Sequence, residues 1–260
     1  MESVHNITDD NRDSAADSII QSCLDLKNPK SFFLFAGAGS GKTRSLVAAL
    51  DYINMTFGRE LKLKNRMIAV ITYTKAARDE IKRRCHYNPL FKISTIHSFA
   101  WKLISPHTED IRTCLKNDIN IRINEAETKL ASSKNKATKL YKQAEEKLSK
   151  LKKRLEHLDS VKRFIYNPDG INTESNSLDH AEVVKILVDL LLNQETMQKI
   201  LVDTYPILLI DESQDTKKDL MNVFLFIQEK YSYCFSMGLL GDVMQRIYFE
   251  GKEDLHTSIP

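Results

Sequence analysis

The run FFLFAGAGSGKTR (Phe32–Arg44) leaves this chain few folds. An unbroken apolar stretch, too short for a helix, breaks into three glycines within five residues and then into helix-compatible sequence. Such a run reads as a buried strand, and a strand passing through a glycine turn into a helix is the repeating unit of a parallel α/β sheet. The alternation recurs. MIAVIT (Met67–Thr72) precedes a helical stretch at Thr74–Cys85, and KIST (Lys92–Thr95) precedes His97–Ile104. ILLID (Ile207–Asp211) leads to Lys217–Lys230, and CFSMGLL (Cys234–Leu240) closes the series; the helix after the first strand is expected over Lys42–Phe57. These segments predict a doubly wound parallel sheet with helices on both faces, its ligands at the carboxyl ends of the strands.

Residues 105–202 interrupt that pattern. Ala137, Tyr141, Ala144, Leu148, Leu151, Leu155 and Leu158 step by four and three, the seam spacing of a coiled coil. Between Lys134 and Arg163 stand eleven Lys/Arg and four Asp/Glu, a local net charge of +7. A long basic helix is expected there, paired with a neighbouring helix or leaning on the core. NPDGINTESNS (Asn167–Ser177) is a turn-rich break before an apolar-faced helix at Asp179–Leu192. The predicted organisation is a sheet domain over 1–104 and 203–260, with an all-helical insertion carrying a coiled-coil-like stretch over 105–202. Against a whole-chain charge of only +3, the basic helix is either a nucleic-acid surface or a solvated face. No run approaches the roughly 20 apolar residues of a membrane helix, so a cytoplasmic protein is expected. The four cysteines lie far apart, which argues against a zinc site and for buried thiols in a reducing compartment.

The chemistry gathers at three strand ends. In AGAGSGKT, the small residues Ala36, Gly37, Ala38, Gly39, Ser40 and Gly41 let backbone N–H groups converge on phosphate oxygens. Lys42 would neutralise β- and γ-phosphates, Thr43 would ligate magnesium, and Arg44 completes the segment. Asp211 and Glu212 follow four apolar residues and emerge at a strand tip. There Asp211 would hold magnesium and Glu212 would act as general base on the attacking water. Gln214 and Asp215 would relay the nucleotide state to neighbouring loops, or Asp215 caps the next helix. Gln245, past the last strand, would sense the γ-phosphate or orient water. ATP and Mg2+ are the cofactors this pattern calls for.

These motifs together resemble the UvrD/Rep/PcrA group of superfamily 1 DNA helicases. AGAGSGKTR resembles motif I, ITYTKAARDEIKRR (Ile71–Arg84) motif Ia, ISTIHSF (Ile93–Phe99) motif Ib, IDESQDT motif II and GDVMQRIY motif III. The resemblance implies a P-loop NTPase of RecA-like fold, present as the first motor domain with the family's accessory insertion. It implies ATP hydrolysis coupled to movement along single-stranded DNA. By position, Tyr73 would stack on a base, Thr72 or Thr74 would touch phosphate, His97 would contact the strand, and Tyr248 would lie near the nucleotide or the DNA. Tyr73 and His97 also have ordinary packing readings, and Lys75, Arg78, Lys82, Arg83 and Arg84 suit either a phosphate track or a solvated helix face.

The sequence departs from the family in places. Lys75 stands where asparagine is common, and GDVMQRIYFEG lacks an acid and a residue of the usual motif III. The adenine-contacting glutamine is not evident, and Asn11 falls near its place. The family's second RecA-like domain, which supplies arginines to the γ-phosphate, has no counterpart before Pro260. The expectation is therefore a weak or inactive ATPase by itself, completed by a second domain or by a partner chain such as a nuclease. Helicase-like chains of bacterial antiviral systems such as Gabija share the IDE-Q-DT pattern and the long helical insertion. They supply the alternative: an ATP- and DNA-responsive regulatory subunit.

Overall fold

The computed structural model describes residues 16–35, 37, 41–132, 139–167, 174 and 176–242. Five strands form one all-parallel sheet: β1 (Phe32–Phe35), β2 (Ile68–Thr72), β3 (Phe91–Thr95), β4 (Ile207–Ile210) and β5 (Ser236–Gly241). Each overlaps a strand segment expected from the sequence; β3 begins one residue before the expected KIST, and β5 spans Ser236–Gly241 rather than Cys234–Leu240. This is the expected α/β fold of a P-loop NTPase. The connecting helices are α1 (16–23), α2 (Lys42–Leu63), α3 (Lys75–Arg84), α4 (Ile96–Ile104), α5 (Thr108–Ser132), α6 (Lys139–His157), α7 (His180–Asn193), α8 (Glu195–Thr204) and α9 (Lys218–Lys230). Helix α2 runs six residues beyond its expected end at Phe57, because Leu61 continues the buried stripe of Leu46, Ala49, Leu50 and Ile53. Its neighbours in that core include Ile68 and Val70 of β2, Ile93 of β3 and Leu209 of β4. Each such buried Leu, Ile or Val is worth about 1.5–3 kcal/mol relative to exposure.

The order across the sheet is β1-β5-β4-β2-β3. The chain lays down β1, leaves room for two strands, adds β2 and β3, and returns much later to fill the gap with β4 and β5. Parallel pairing puts every carboxyl end on one edge. In register, Phe35 lies beside Gly241 and Ile71 beside Ile210, so the chemistry-bearing tips of β1, β5, β4 and β2 follow one another along that edge.

The chain divides into two compact units, one of residues 1–96 and 194–260 carrying the sheet, the other His97–Asn193. Helix α8 belongs with the sheet: Met67 N donates to Thr204 O at 2.9 Å, and Lys230 Nζ donates to Gln198 Oε1 at 2.8 Å. In the helical unit α5 lies against α6. The seam residues Tyr141, Ala144, Leu148, Leu151, Leu155 and Leu158 are buried or half-buried while most of their neighbours are exposed; Ala137 lies outside the described residues. The hairpin is fastened by Lys152 on Glu127 at 2.6 Å and by the Arg112 guanidinium on Leu158 O at 2.9 Å. Among the described residues no helix is long and apolar enough to cross a membrane. The cysteines are free; burial pushes the Cys85 and Cys114 thiols up to about 11.

Candidate active site

Helix α2 starts on a backbone that only glycine adopts at no cost: Gly41 has φ of 88°. Among the described residues no side chain caps this end and its first turn holds no acid, so the positive end of the helix dipole meets no negative charge within the helix itself. Lys42 follows at once. Its side chain is only 10% exposed, and Nζ lies 3.8 Å from Oε2 of Glu212. Residues 170 positions apart in the chain meet here because β1 and β4 flank the same strand, β5. Thr43 is half-buried in the first turn of α2 and Arg44 is exposed.

Strand β4 ends at Ile210, and Asp211 N still donates to Ile71 O of β2 at 2.9 Å. That bond holds Asp211 at the tip, where it is 6% exposed. Burial raises its carboxyl above the ordinary aspartate range and the Glu212 charge adds to the rise, while the Glu212 N–H and the Lys42 ammonium work against it. Glu212 adopts the left-handed region, φ 50° and ψ 49°, a conformation costing about 1–3 kcal/mol in a side-chain-bearing residue. Three bonds hold it there. Its N–H donates to Asp211 Oδ1 at 3.1 Å, its C=O accepts from Asp215 N at 2.9 Å, and its Oε2 accepts from the Gln214 amide at 2.6 Å. The turn Ser213–Asp215 that follows is a single 3-10 turn.

Two carboxylates against one ammonium leave a negative charge that a divalent cation would balance. Among the described residues no group of three or more His, Cys, Asp or Glu forms a cage. One or two acids and a hydroxyl, with phosphate oxygens to complete the shell, are what magnesium takes in nucleotide sites. The donor set therefore fits Mg2+ with a nucleotide.

The residues assigned to nucleic acid fall differently. Thr72 is buried, and its hydroxyl donates to Thr74 O at 3.1 Å. The Thr74 hydroxyl caps α3 by accepting from Ala77 N at 3.1 Å. Tyr73 between them is 59% exposed at the tip of β2. On α3, Arg78 pairs with Asp79, and Arg83 and Arg84 both pair with Glu80, so much of that basic face is internally compensated. His97 lies in the helical unit, its ring 4.8 Å from that of His180. Gly37 is exposed, and Asn11, Ala36, Ala38, Gly39, Ser40, Gln245 and Tyr248 lie outside the described residues.

At the tip of β5, Gly241 and Asp242 open the segment GDVMQRIY but had no role of their own in the sequence pattern. Gly241 sits so close to the acid strand that a Cβ there would lie 2.9 Å from Ser213 Oγ and 3.0 Å from Gln214 Oε1. The next residue, Asp242, is buried, and its N–H donates to Gln214 Oε1 at 3.4 Å. The signal was present: GLLGD repeats the form of LLIDE, an apolar strand delivering an acid at its tip.

Comparison with known proteins agrees with the fold. The family model of the AAA domain matches residues 21–250. The chain is also similar to the Gabija protein GajB of Bacillus cereus (strain HuB5-5), 25% identical over 280 aligned positions that take in 83% of this chain and 41% of the relative. The chain thus spans about two fifths of the length of that curated relative.

Proposed function

The chain belongs to the AAA domain family of P-loop NTPases, and from that premise we propose that it is the first motor domain of an ATP-driven DNA helicase or translocase of UvrD type. The observation that carries this reading is the Lys42–Glu212 pair at 3.8 Å beside the buried Asp211. A lysine at a helix start, an acid poised for a cation and a second acid able to take a proton from water are the parts that phosphoryl transfer needs.

In this reading Lys42 binds the β- and γ-phosphates, and Thr43 and Asp211 hold magnesium. The cation, when bound, neutralises charge on the phosphates. Glu212 accepts a proton from the attacking water at its carboxylate, and Gln245 orients that water. Exposed Tyr73 offers a face on which any base can stack, which suits a motor that must tolerate every sequence. His97 and Tyr248 complete the proposed strand contacts, and Asn11 the adenine contact. Full turnover calls for a second RecA-like domain, in the same polypeptide or in a partner, to bring arginine to the γ-phosphate. An arginine of that kind contributes about 10³–10⁵ in rate.

The likeness to a Gabija protein favours one further reading, a nucleotide- and DNA-responsive regulatory subunit of an antiviral complex that contains a nuclease. Both readings are tested by steady-state ATP hydrolysis with and without single-stranded DNA, beside Glu212→Gln and Lys42→Ala. The motor reading expects little turnover from the chain alone and, once a second RecA-like domain is supplied, DNA-stimulated turnover that Glu212→Gln abolishes. The regulatory reading expects magnesium-dependent ATP binding with little turnover. ATP binding that survives Lys42→Ala unchanged would overturn both.

A further inference from the structure

We propose that Gln214 is a positioning residue that clamps the Glu212 carboxylate to the tip of β5. Each end of its amide is engaged: the NH2 group donates to Glu212 Oε2 at 2.6 Å, and the oxygen accepts from Asp242 N at 3.4 Å. One planar group thereby links the base to the strand lying between β4 and β1. The strand partner is fixed in turn, since Gly241 is in register with Phe35, the last residue of β1 before the glycine loop. Gln214 is 7% exposed, so its amide must find its hydrogen-bond partners within the protein.

Two features show that the clamp is built into the backbone. Glu212 stands in the left-handed region, which turns its side chain back toward a residue only two positions on and needs an outside hold to persist. Gly241 leaves the space in which Ser213 and Gln214 sit, because a methyl group there would press on both. A displacement of β5 relative to β4 would therefore carry Glu212 with it. The arrangement makes the position of the base depend on the strand that continues into GDVMQRIY. This inference rests on the nucleotide-site reading for its consequence, though not for its geometry.

The test uses Gln214→Met, which keeps length and removes both hydrogen bonds, and Gly241→Ala, which pushes on the amide from outside. If the clamp positions the base, both variants lower kcat about 10- to 100-fold, the loss that follows misplacement of a reacting group. Their Kd for Mg-ADP stays within about twofold, because phosphate binding does not use the base. The side-chain amide resonance of Gln214, identified as the signal lost in Gln214→Met, shifts in Glu212→Gln and again in Gly241→Ala. An amide signal that ignores both substitutions refutes the clamp whether or not the chain turns over ATP. A signal that responds while kcat does not refutes the positioning role. Failure of the wild-type chain to bind Mg-ADP would instead sink the nucleotide-site reading, and the amide signal still judges the contact.

Discussion

Asp211→Asn is expected to make the nucleotide-free protein more stable and the nucleotide-bound protein relatively less so. In the folded state the Asp211 carboxyl is buried beside a second acid, and its pKa is raised above the ordinary value. A raised folded pKa means that the folded state holds its proton more tightly than the unfolded chain does. Stability is then lost as pH climbs from the unfolded value, about 3.9, through the folded one, and the loss is complete above it. Asparagine keeps an Oδ1 to accept the Glu212 N–H, now 3.1 Å away, while removing the charge that burial and Glu212 oppose. The attraction to Lys42 is forfeited, but it is the smallest of the four influences on this group. Relief of a functional site's strain of this kind commonly gives about 0.5–2 kcal/mol. At about 2–4 °C per kcal/mol for a chain of this size, the melting temperature should rise by about 1–8 °C at pH 7. The assay is thermal unfolding of both proteins from pH 4 to pH 8. The gain of the variant should vanish at the acid end and reach a plateau near neutrality. Saturating Mg-ATPγS should reverse the order, since ligand at 100 times Kd adds about 2.7 kcal/mol to the wild type alone. A variant that melts lower at pH 7, or whose gain is the same at pH 4 as at pH 8, would refute the argument.

Tyr73→Ala should weaken single-stranded DNA binding by about 1–3 kcal/mol, measured by fluorescence anisotropy, if the exposed ring stacks on a base. Reversing the exposed Lys142, Lys150 and Lys153 to Glu should lower the salt slope of DNA binding by about 0.7 for each phosphate lost, about 2 in all; an unchanged slope across a salt titration would mark α6 as a solvated face. Lys152 and Arg154 are poorer choices for that test, because they already pair with Glu127 and Glu182. Arg154→Met should cost about 3–5 kcal/mol in urea denaturation, since it leaves the charge of the Glu182 carboxylate, whose side chain is 9% exposed, without its cationic partner, the Asp179 N–H alone not balancing it. The double variant Arg154→Met with Glu182→Leu should recover most of that loss.

The sequence by itself determined most of the elements. Apolar runs bounded by glycine, acid or turn residues marked four of the five strands, since a strand buried in a parallel sheet needs little other signal, while β3 is the short mixed segment FKIST. The glycine turn into α2 and the acidic tip of β4 were legible because each is a local pattern: small residues before a lysine, two acids after apolar side chains. The three-four spacing of α6 announced a buried seam for the same reason. The tertiary structure alone decided which strands are neighbours, and so which tips meet. No local window shows that β5 slips between β1 and β4, because that order depends on closing the gap left between β1 and β2 after a helical unit of 97 residues, His97–Asn193, has been threaded out of the sheet. From that order follow the Lys42–Glu212 pair and the amide bridge from Gln214 to Asp242, each joining residues whose separation in the chain carries no trace of contact. The same holds for Thr72 and Tyr73. Both are polar or aromatic at a strand end, but Thr72 is the last residue of a strand buried on both faces whereas Tyr73 lies just past it and is exposed, and only packing fixes where that burial stops.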